Sequence, residues 1–327
     1  MEGMERMEGM ERMEKIKVGV STCLLGESVR YDGGHKLDRF IRDVLGEYFD
    51  YYAVCPEQEA GLGTPREAMR LVGDEEDPKL LTNKTFQDKT GIMKDYIQRK
   101  LPILEKQELH GFIFKKGSPS SGLYRVKVYH ENGNPIGKGS GLFAKAFTTA
   151  FPNLPVEEEG RLNDPHLREN FIVRVFAHHR WKEFLKKNPS VGDLVEYHTR
   201  EKFLMMAHSV EHYKALGKIT AKGSTIPREE LFGEFERVYL EGLESHATAK
   251  KNTNVLHHIL GYFKEELSPW EKQEALDLIE RYHDRQVPLV VPLTLLNHYI
   301  RKYEKDYLEK QRYLNPHPRE LMLRNQY

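Results

Sequence analysis

The sequence predicts an α/β domain built on a Rossmann-like parallel sheet, followed by an all-α domain. Three observations carry that fold class. Short apolar, β-branched runs alternate with helical patterns through the first half of the chain, the signature of βαβ units. After Asn170 strand signals stop and amphipathic helical spacing takes over. Three of the strand runs end in unusual loops, and open α/β sheets bind ligands at the carboxyl ends of their strands.

The elements follow in order. Lys15 to Leu25 (KIKVGVSTCLL), bounded by Gly26, reads as a first, buried strand. Lys36 to Tyr48 places Leu37, Phe40, Ile41, Val44 and Leu45 at helical spacing. Tyr51 to Val54 is a second strand that stops at Cys55-Pro56, before the Gly- and Pro-rich loop AGLGTPRE. Lys84 to Lys106 carries a long helical pattern, and His110 to Lys115 reads as a third strand ending in GSPSSG. Ala144 to Phe151 reads as helix and Leu154 to Glu157 as a short strand. Residues 159–189 are expected to be a linker and connecting helix, which closes an α/β domain over 15–158. Helices are then expected over Phe171–Lys187, Val191–Leu216, Arg228–Ala247, Val255–Glu265, Trp270–Arg281 and Val290–Tyr313, and the helical domain over 190–327. Pro227 suits a first helical position, where its missing N–H has no partner to lose. Residues 1–14 contain a six-residue unit, MEGMER, written twice, and are expected to be a disordered leader.

Composition narrows the function classes. The 327 residues are 39% hydrophobic and 31% charged, a balance for a soluble globular chain rather than a disordered one. Formal net charge is zero, so no chain-wide basic signature marks a nucleic-acid binder. Local excess exists: residues 101–150 hold seven Lys/Arg against three Asp/Glu, and 301–327 hold seven against four. No apolar run reaches the ~18 residues of a membrane span. The two cysteines, Cys23 and Cys55, cannot make a disulfide scaffold, and without an export signal they read as reduced thiols or ligands in a cytoplasmic protein.

Both cysteines end strands. Arg30 and Arg66 offer the electropositive setting that a reactive thiolate needs, whereas burial alone would make the same cysteines small apolar residues. Gly117-Ser118-Pro119-Ser120-Ser121-Gly122 is a turn of small hydroxyl residues flanked by Lys115, Lys116, Arg125 and Lys127. Its amides and hydroxyls suit an anion, and equally a plain polar turn. His208 and His212 stand four apart, a metal-ligand spacing, but AHSVEHY lacks the glutamate of a zinc hydrolase motif. Packing or RNA contact is favoured for them over a metal-dependent hydrolase.

Three segments, STCLLGESVRYDGGHK, VCPEQEAGLGTPRE and FKKGSPSSGLYRVKVY, closely resemble the 2-thiouracil desulfidase family. EYHTREKFLMMAHSVEHYKALGKI resembles a helical family of formerly unknown function that is often fused to it, and the fused form resembles desulfidases that convert 4-thiouridine in tRNA to uridine. The resemblance implies a four-iron four-sulfur cluster held by three cysteines, with one iron left open for the substrate sulfur. Cys23 and Cys55 match the first two ligands, Glu57 the acid/base carboxylate and Ser118 the catalytic serine. Around them Arg30, Tyr31, Asp32, Arg66, Lys116 and Ser120 are expected to contact substrate. The family's third ligand is the cysteine of an SPSCG motif, and here that position is Ser121. An introduced change, a cluster with a weaker third ligand and a site that has lost its cluster all accommodate this serine.

The expected function is therefore desulfidation of a thiolated uracil, 4-thiouridine in tRNA first and free thiouracil second. A cluster-less RNA-binding protein derived from such an enzyme is the alternative. The expected partner is tRNA, with no membrane and no protein partner. Trp181, Tyr197, His198, His208 and Tyr213 are candidate RNA contacts.

Overall fold

The structure is a computed structural model that describes residues 14–325. The leader expected over 1–14 lies, apart from Glu14, outside the described residues. The chain divides into two compact units, Met1–Gly160 and Arg161–Tyr327.

The first unit contains β1 (Ile16–Ser21), β2 (Phe49–Val54), α1 (Pro56–Glu59), β3 (Met69–Val72), β4 (Lys79–Thr82), α2 (Thr90–Glu105), β5 (Phe112–Phe114), β6 (Val126–Tyr129), β7 (Pro135–Gly139), α3 (Leu142–Ala150) and β8 (Val156–Glu158). Four strands form one sheet in the order β2-β1-β5-β8, with every pair parallel. This is the expected parallel sheet. Val18 and Val20 of β1 share one face and are fully buried, while on the other face Gly19 leaves room for the ring of Phe112 on β5. Phe112 and Phe114 stack at 4.2 Å, and α3 packs on them through Phe143 and Phe147. Because β1 lies between β2 and β5, the chain leaves it on one side and returns on the other. The carboxyl ends of these three strands therefore border one crevice.

A second sheet, in the order β4-β3-β6-β7, was not expected from the sequence. Its outer pairs are antiparallel and its central pair, β3 with β6, is parallel. The expected helix over 36–48 is replaced by a π-type turn at Phe40–Val44 and a 3-10 turn at Leu45–Glu47. Ile41 and Leu45 are buried as the spacing requires, but Val44 is exposed.

The second unit is helical: α4 (Pro165–Lys186), α5 (Val191–His208), α6 (Val210–Lys222), α7 (Arg228–Glu244), α8 (Ala249–Leu260), α9 (Pro269–His283), α10 (Val290–Lys302) and α11 (Asp306–Glu309). None of its described residues is in a strand. The segment expected as a linker and connecting helix instead places α4 inside this unit. Val173, Ala177 and the fully buried Trp181 belong to its core, where Trp181 stacks on Phe235 at 5.1 Å. The core also contains one ion pair. Arg180 binds both carboxylate oxygens of Glu201, at 3.0 and 3.2 Å, and Tyr239 donates to the same carboxylate at 2.9 Å. The expected helix over 191–216 breaks at Ser209, whose hydroxyl caps α6 by accepting from the His212 amide. Pro227 is the cap preceding α7 rather than its first residue. Among the described residues no helix is long and apolar enough to cross a membrane.

Candidate active site

The three strand ends meet around a cavity of about 270 Å³. Cys23 comes from the 3-10 turn Thr22–Leu25 that ends β1. Cys55 directly follows β2 and precedes α1, whose first residue is Pro56. Ser118, Ser120 and Ser121 come from the loop after β5. Arg30, Tyr31, Lys36, Arg66, Lys115 and Lys116 also line the wall.

The serine loop is held from several directions. At the amino end of α3, Phe143 donates to Ser120 O at 2.9 Å and Leu142 to Pro119 O at 3.2 Å. Gly141 donates to Gly122 O at 2.7 Å. A side chain at Gly141 would bring Cβ to 2.5 Å from the Ser120 carbonyl, so only glycine permits this approach. On the far side, the buried carboxylate of Glu158 accepts from the Leu123 and Tyr124 amides at 2.9 and 3.0 Å. Where β5 ends, Lys115 donates its amide to Ser21 Oγ at 2.9 Å and so ties the loop's base to β1.

Glu57 is the centre of the polar network. Its Oε1 accepts from Ser120 Oγ at 2.7 Å and from Ser118 Oγ at 3.2 Å. Its Oε2 is gripped by Arg66, through Nε at 3.0 Å and through Nη2. The remaining Arg66 donor, Nη1, is engaged by Val29 O, Gly63 O and Thr64 Oγ1. Arg66, expected as a substrate contact, lines the cavity and clamps Glu57. Ser118 Oγ also accepts from the amides of Ser120 and Ser121, at 3.3 and 3.1 Å. A hydroxyl that donates to a carboxylate while accepting from two amides is set to release and recover a proton.

Burial pushes the Cys23 thiol up to about 11, partly countered by Lys115 and reinforced by Cys55. Burial also raises the Cys55 thiol, against a backbone hydrogen bond from Gln58. As free groups both are protonated, and a bound cation would deprotonate them. The Ser121 side chain is buried and lines the cavity, and its hydroxyl has no hydrogen-bond partner among the described residues. At the three positions where the family resemblance places cluster ligands, the cavity wall therefore offers two sulfurs and one oxygen.

Of the expected substrate contacts, Arg30, Tyr31, Arg66, Lys116 and Ser120 line the cavity and Asp32 does not. Asp32 pairs with Arg30 at 3.3 Å and accepts from the Gly34 amide. The sequence reading missed Glu59, which accepts from the Cys55 amide at 2.9 Å and pairs with Lys100 at 2.7 Å. It also missed Glu158 and Glu159, the latter paired with Lys115 and bonded by the Lys116 amide at 2.6 Å. The run Glu157-Glu158-Glu159 at a strand end was the available signal.

The histidine pair does not form a metal site. His208 Nδ1 meets Ser245 O at 2.7 Å, while His212 Nδ1 meets Ser209 Oγ at 2.7 Å in the next helix. No group of three or more His, Cys, Asp or Glu arranged to hold a metal ion occurs among the described residues. Trp181 and His208 are buried, so no base can stack on either. Tyr197 packs between Trp181 and Phe184, at 5.2 and 4.7 Å. His198 and Tyr213 are half-buried and stack on one another at 6.3 Å.

Comparison with known proteins divides along the same line as the fold. Residues 18–159 match the 2-thiouracil desulfurase family, and residues 202–318 match the family described as protein of unknown function DUF1722. The uncharacterized protein YbbK of Bacillus subtilis is 30% identical over 153 residues, covering 44% of this chain and 97% of that protein. The uncharacterized protein YbgA of Escherichia coli is 29% identical over 165 residues, covering 50% of this chain and 98% of that protein. A solved structure of the 4Fe-4S-dependent thiouracil desulfidase TudS is 29% identical, covers 46% of this chain and 95% of its own, and superposes with a TM-score of 0.37.

Proposed function

The chain belongs to the 2-thiouracil desulfurase family through residues 18–159, and on that premise we propose that it is an iron–sulfur desulfidase that removes sulfur from 4-thiouridine in tRNA. The observation that carries the reading is the convergence of both cysteines with the Glu57–Ser118–Ser120 network on one cavity. The donor set suits an iron–sulfur cluster in two of its three positions. Cys23 and Cys55 would hold it as thiolates, with the Ser121 hydroxyl as an oxygen donor in the third place. When bound, such a cluster supplies a soft, open iron that polarises a thiocarbonyl.

The chain's own residues supply the remaining chemistry. The overall change is C=S plus water to C=O plus hydrogen sulfide, with no electron transferred. Glu57 takes a proton as water adds to the ring carbon, and Ser118, bonded to Glu57, passes a proton to the departing sulfur or the ring nitrogen. Arg66 fixes the carboxylate so that Oε1 faces the serines. Lys116 adds positive charge to the wall and favours an anionic substrate, whereas the charge of Lys115 is compensated by Glu159.

The support for tRNA over a free base is the second unit. A free thiouracil needs only the α/β cavity, whereas a nucleotide within RNA must be drawn out of its stack and held there. The test is anaerobic reconstitution with iron and sulfide, followed by incubation with thiolated tRNA and with free 2-thiouracil. Sulfide release from tRNA in preference to the base supports the proposal. A reconstituted protein that carries iron yet leaves both substrates intact overturns it. Binding of tRNA with no iron retained points instead to a cluster-less RNA-binding protein, the reading that Ser121 favours.

A further inference from the structure

The helical unit contains a cleft of about 270 Å³ unrelated to the cavity above. It opens at the amino end of α8, whose cap Thr248 and first residue Ala249 form part of its wall. An inner recess of about 20 Å³ shares His166, Glu169, His246, Asn252 and Arg324 with the cleft and reaches His208. A recess of that size admits one hydroxyl-sized group.

We propose that this cleft binds a phosphate monoester, with the phosphate's own proton donated to His208. Three observations combine. First, the charged groups leave a positive excess. Glu169, the acid in the wall, is taken up by Arg324 at 3.1 Å, and Lys251, outside the lining, is held on the His208 and His246 carbonyls at 2.6 and 3.0 Å. Arg285, on the cleft's outer wall, has no carboxylate partner among the described residues. Second, α8 is a 12-residue helix, and its amino end adds partial positive charge and backbone donors. Third, His208 is only 3% exposed, and its ring is half satisfied. Because Nδ1 meets a carbonyl, which can only accept, Nδ1 carries the proton and Nε2 is a bare lone pair. No residue among those described bonds Nε2, and His208 lines the recess.

A lone pair within a positive field selects the ligand. The cations call for an anion, and Nε2 calls for a hydrogen-bond donor. Sulfate and carboxylate anions have no proton to give. A singly protonated phosphate or phosphate monoester has both the charge and the P–OH, since its second ionisation lies near ~6. The ester group would extend toward Val287, Leu289 and Leu323, the apolar part of the cleft. No bond is made or broken at this site, and the inference does not depend on the desulfidase reading.

Isothermal titration of the full chain tests it with inorganic phosphate, with sulfate at equal ionic strength, and with a short RNA bearing either a 5′-phosphate or a 5′-hydroxyl. Phosphate should bind about tenfold or more tightly than sulfate, the discrimination expected of one hydrogen bond made to a charged ligand. Arg285→Ala, at an exposed and unpaired position, should weaken phosphate by roughly tenfold. His208→Leu should remove the preference for phosphate over sulfate, and circular dichroism of the variant reports whether its helices persist. If that variant unfolds, the sulfate comparison and Arg285→Ala still decide. RNA that binds only with its 5′-phosphate identifies a nucleic-acid end as the source, and binding of inorganic phosphate alone identifies a small phosphorylated ligand. Equal affinity for phosphate and sulfate, or no binding of any phosphorylated probe, overturns the proposal.

Discussion

Glu57 holds two hydroxyls on one carboxylate oxygen and a guanidinium on the other, a division that sets its chemistry. Replacing it with Gln keeps the shape but removes the proton acceptor, so Glu57→Gln should lower the desulfidation rate by roughly 10²–10⁴-fold. Single-turnover assays would show this loss with iron content unchanged. A variant that also loses its iron would instead make Glu57 a structural support for the cysteine turn. Ser121 raises a different question. Its hydroxyl lines the same cavity as both thiols but is far less acidic than a thiol and a poorer match for iron. Ser121→Cys should therefore raise the iron and sulfide retained after gel filtration under nitrogen. No rise would mean that the third donor position is not where the loop places residue 121. The cysteines, the serines and Glu57 were legible because each lies at a strand end, in sequence stretches long enough to recognise. Arg66 was legible as a site residue but not as a clamp. Its role depends on three acceptors from two separate segments, Val29 O between β1 and β2, and Gly63 O and Thr64 Oγ1 between β2 and β3.

At the scale of elements, the serine loop depends on the start of α3 more than on itself. Adding a Cβ at Gly141 forces the Ser120 carbonyl away and breaks the bonds that the α3 amides make to the loop. Gly141→Ala should destabilise the first unit by about 1–3 kcal/mol, the usual range for overpacking. It should also reduce activity by more than thermal melting alone would suggest, which parallel melting and rate measurements would show. β5 was readable because a strand buried on both faces is apolar throughout, and β1 and β2 because their β-branched and aromatic residues stand out. The second sheet escaped because its strands are less apolar than those of the first: β4 and β6 each carry an exposed lysine, Lys79 and Lys127. β7 reads as a turn, with Pro135 at its start and Gly137 and Gly139 inside it. Residues 36–48 show the opposite failure. The apolar spacing is real, and it buries Ile41 and Leu45, but the backbone delivers them through π and 3-10 turns instead of an α-helix. Likewise Ser209, a short polar residue in a helical pattern, competes for the backbone and ends α5 before it can merge with α6.

At the scale of the whole molecule, the helical unit carries a built-in response to acid. Burial pushes both His208 and His317 of the helical unit down to about 4, well below an ordinary histidine. A histidine with a depressed folded-state value binds its proton more readily when unfolded. Its stabilising contribution is therefore complete above about 6.5, the unfolded value, and is lost as the pH falls toward 4. Two such groups make the effect on the order of several kcal/mol. Urea unfolding of the full chain followed between pH 7 and pH 4 should thus show a steep loss of helical signal. Two substitutions by neutral residues of similar size, His208→Gln and His317→Gln, should each flatten that slope. The comparison is between slopes, because either substitution also lowers stability at pH 7 by disturbing a packed core. A wild-type slope that both variants retain would mean that groups other than these two histidines set the acid response.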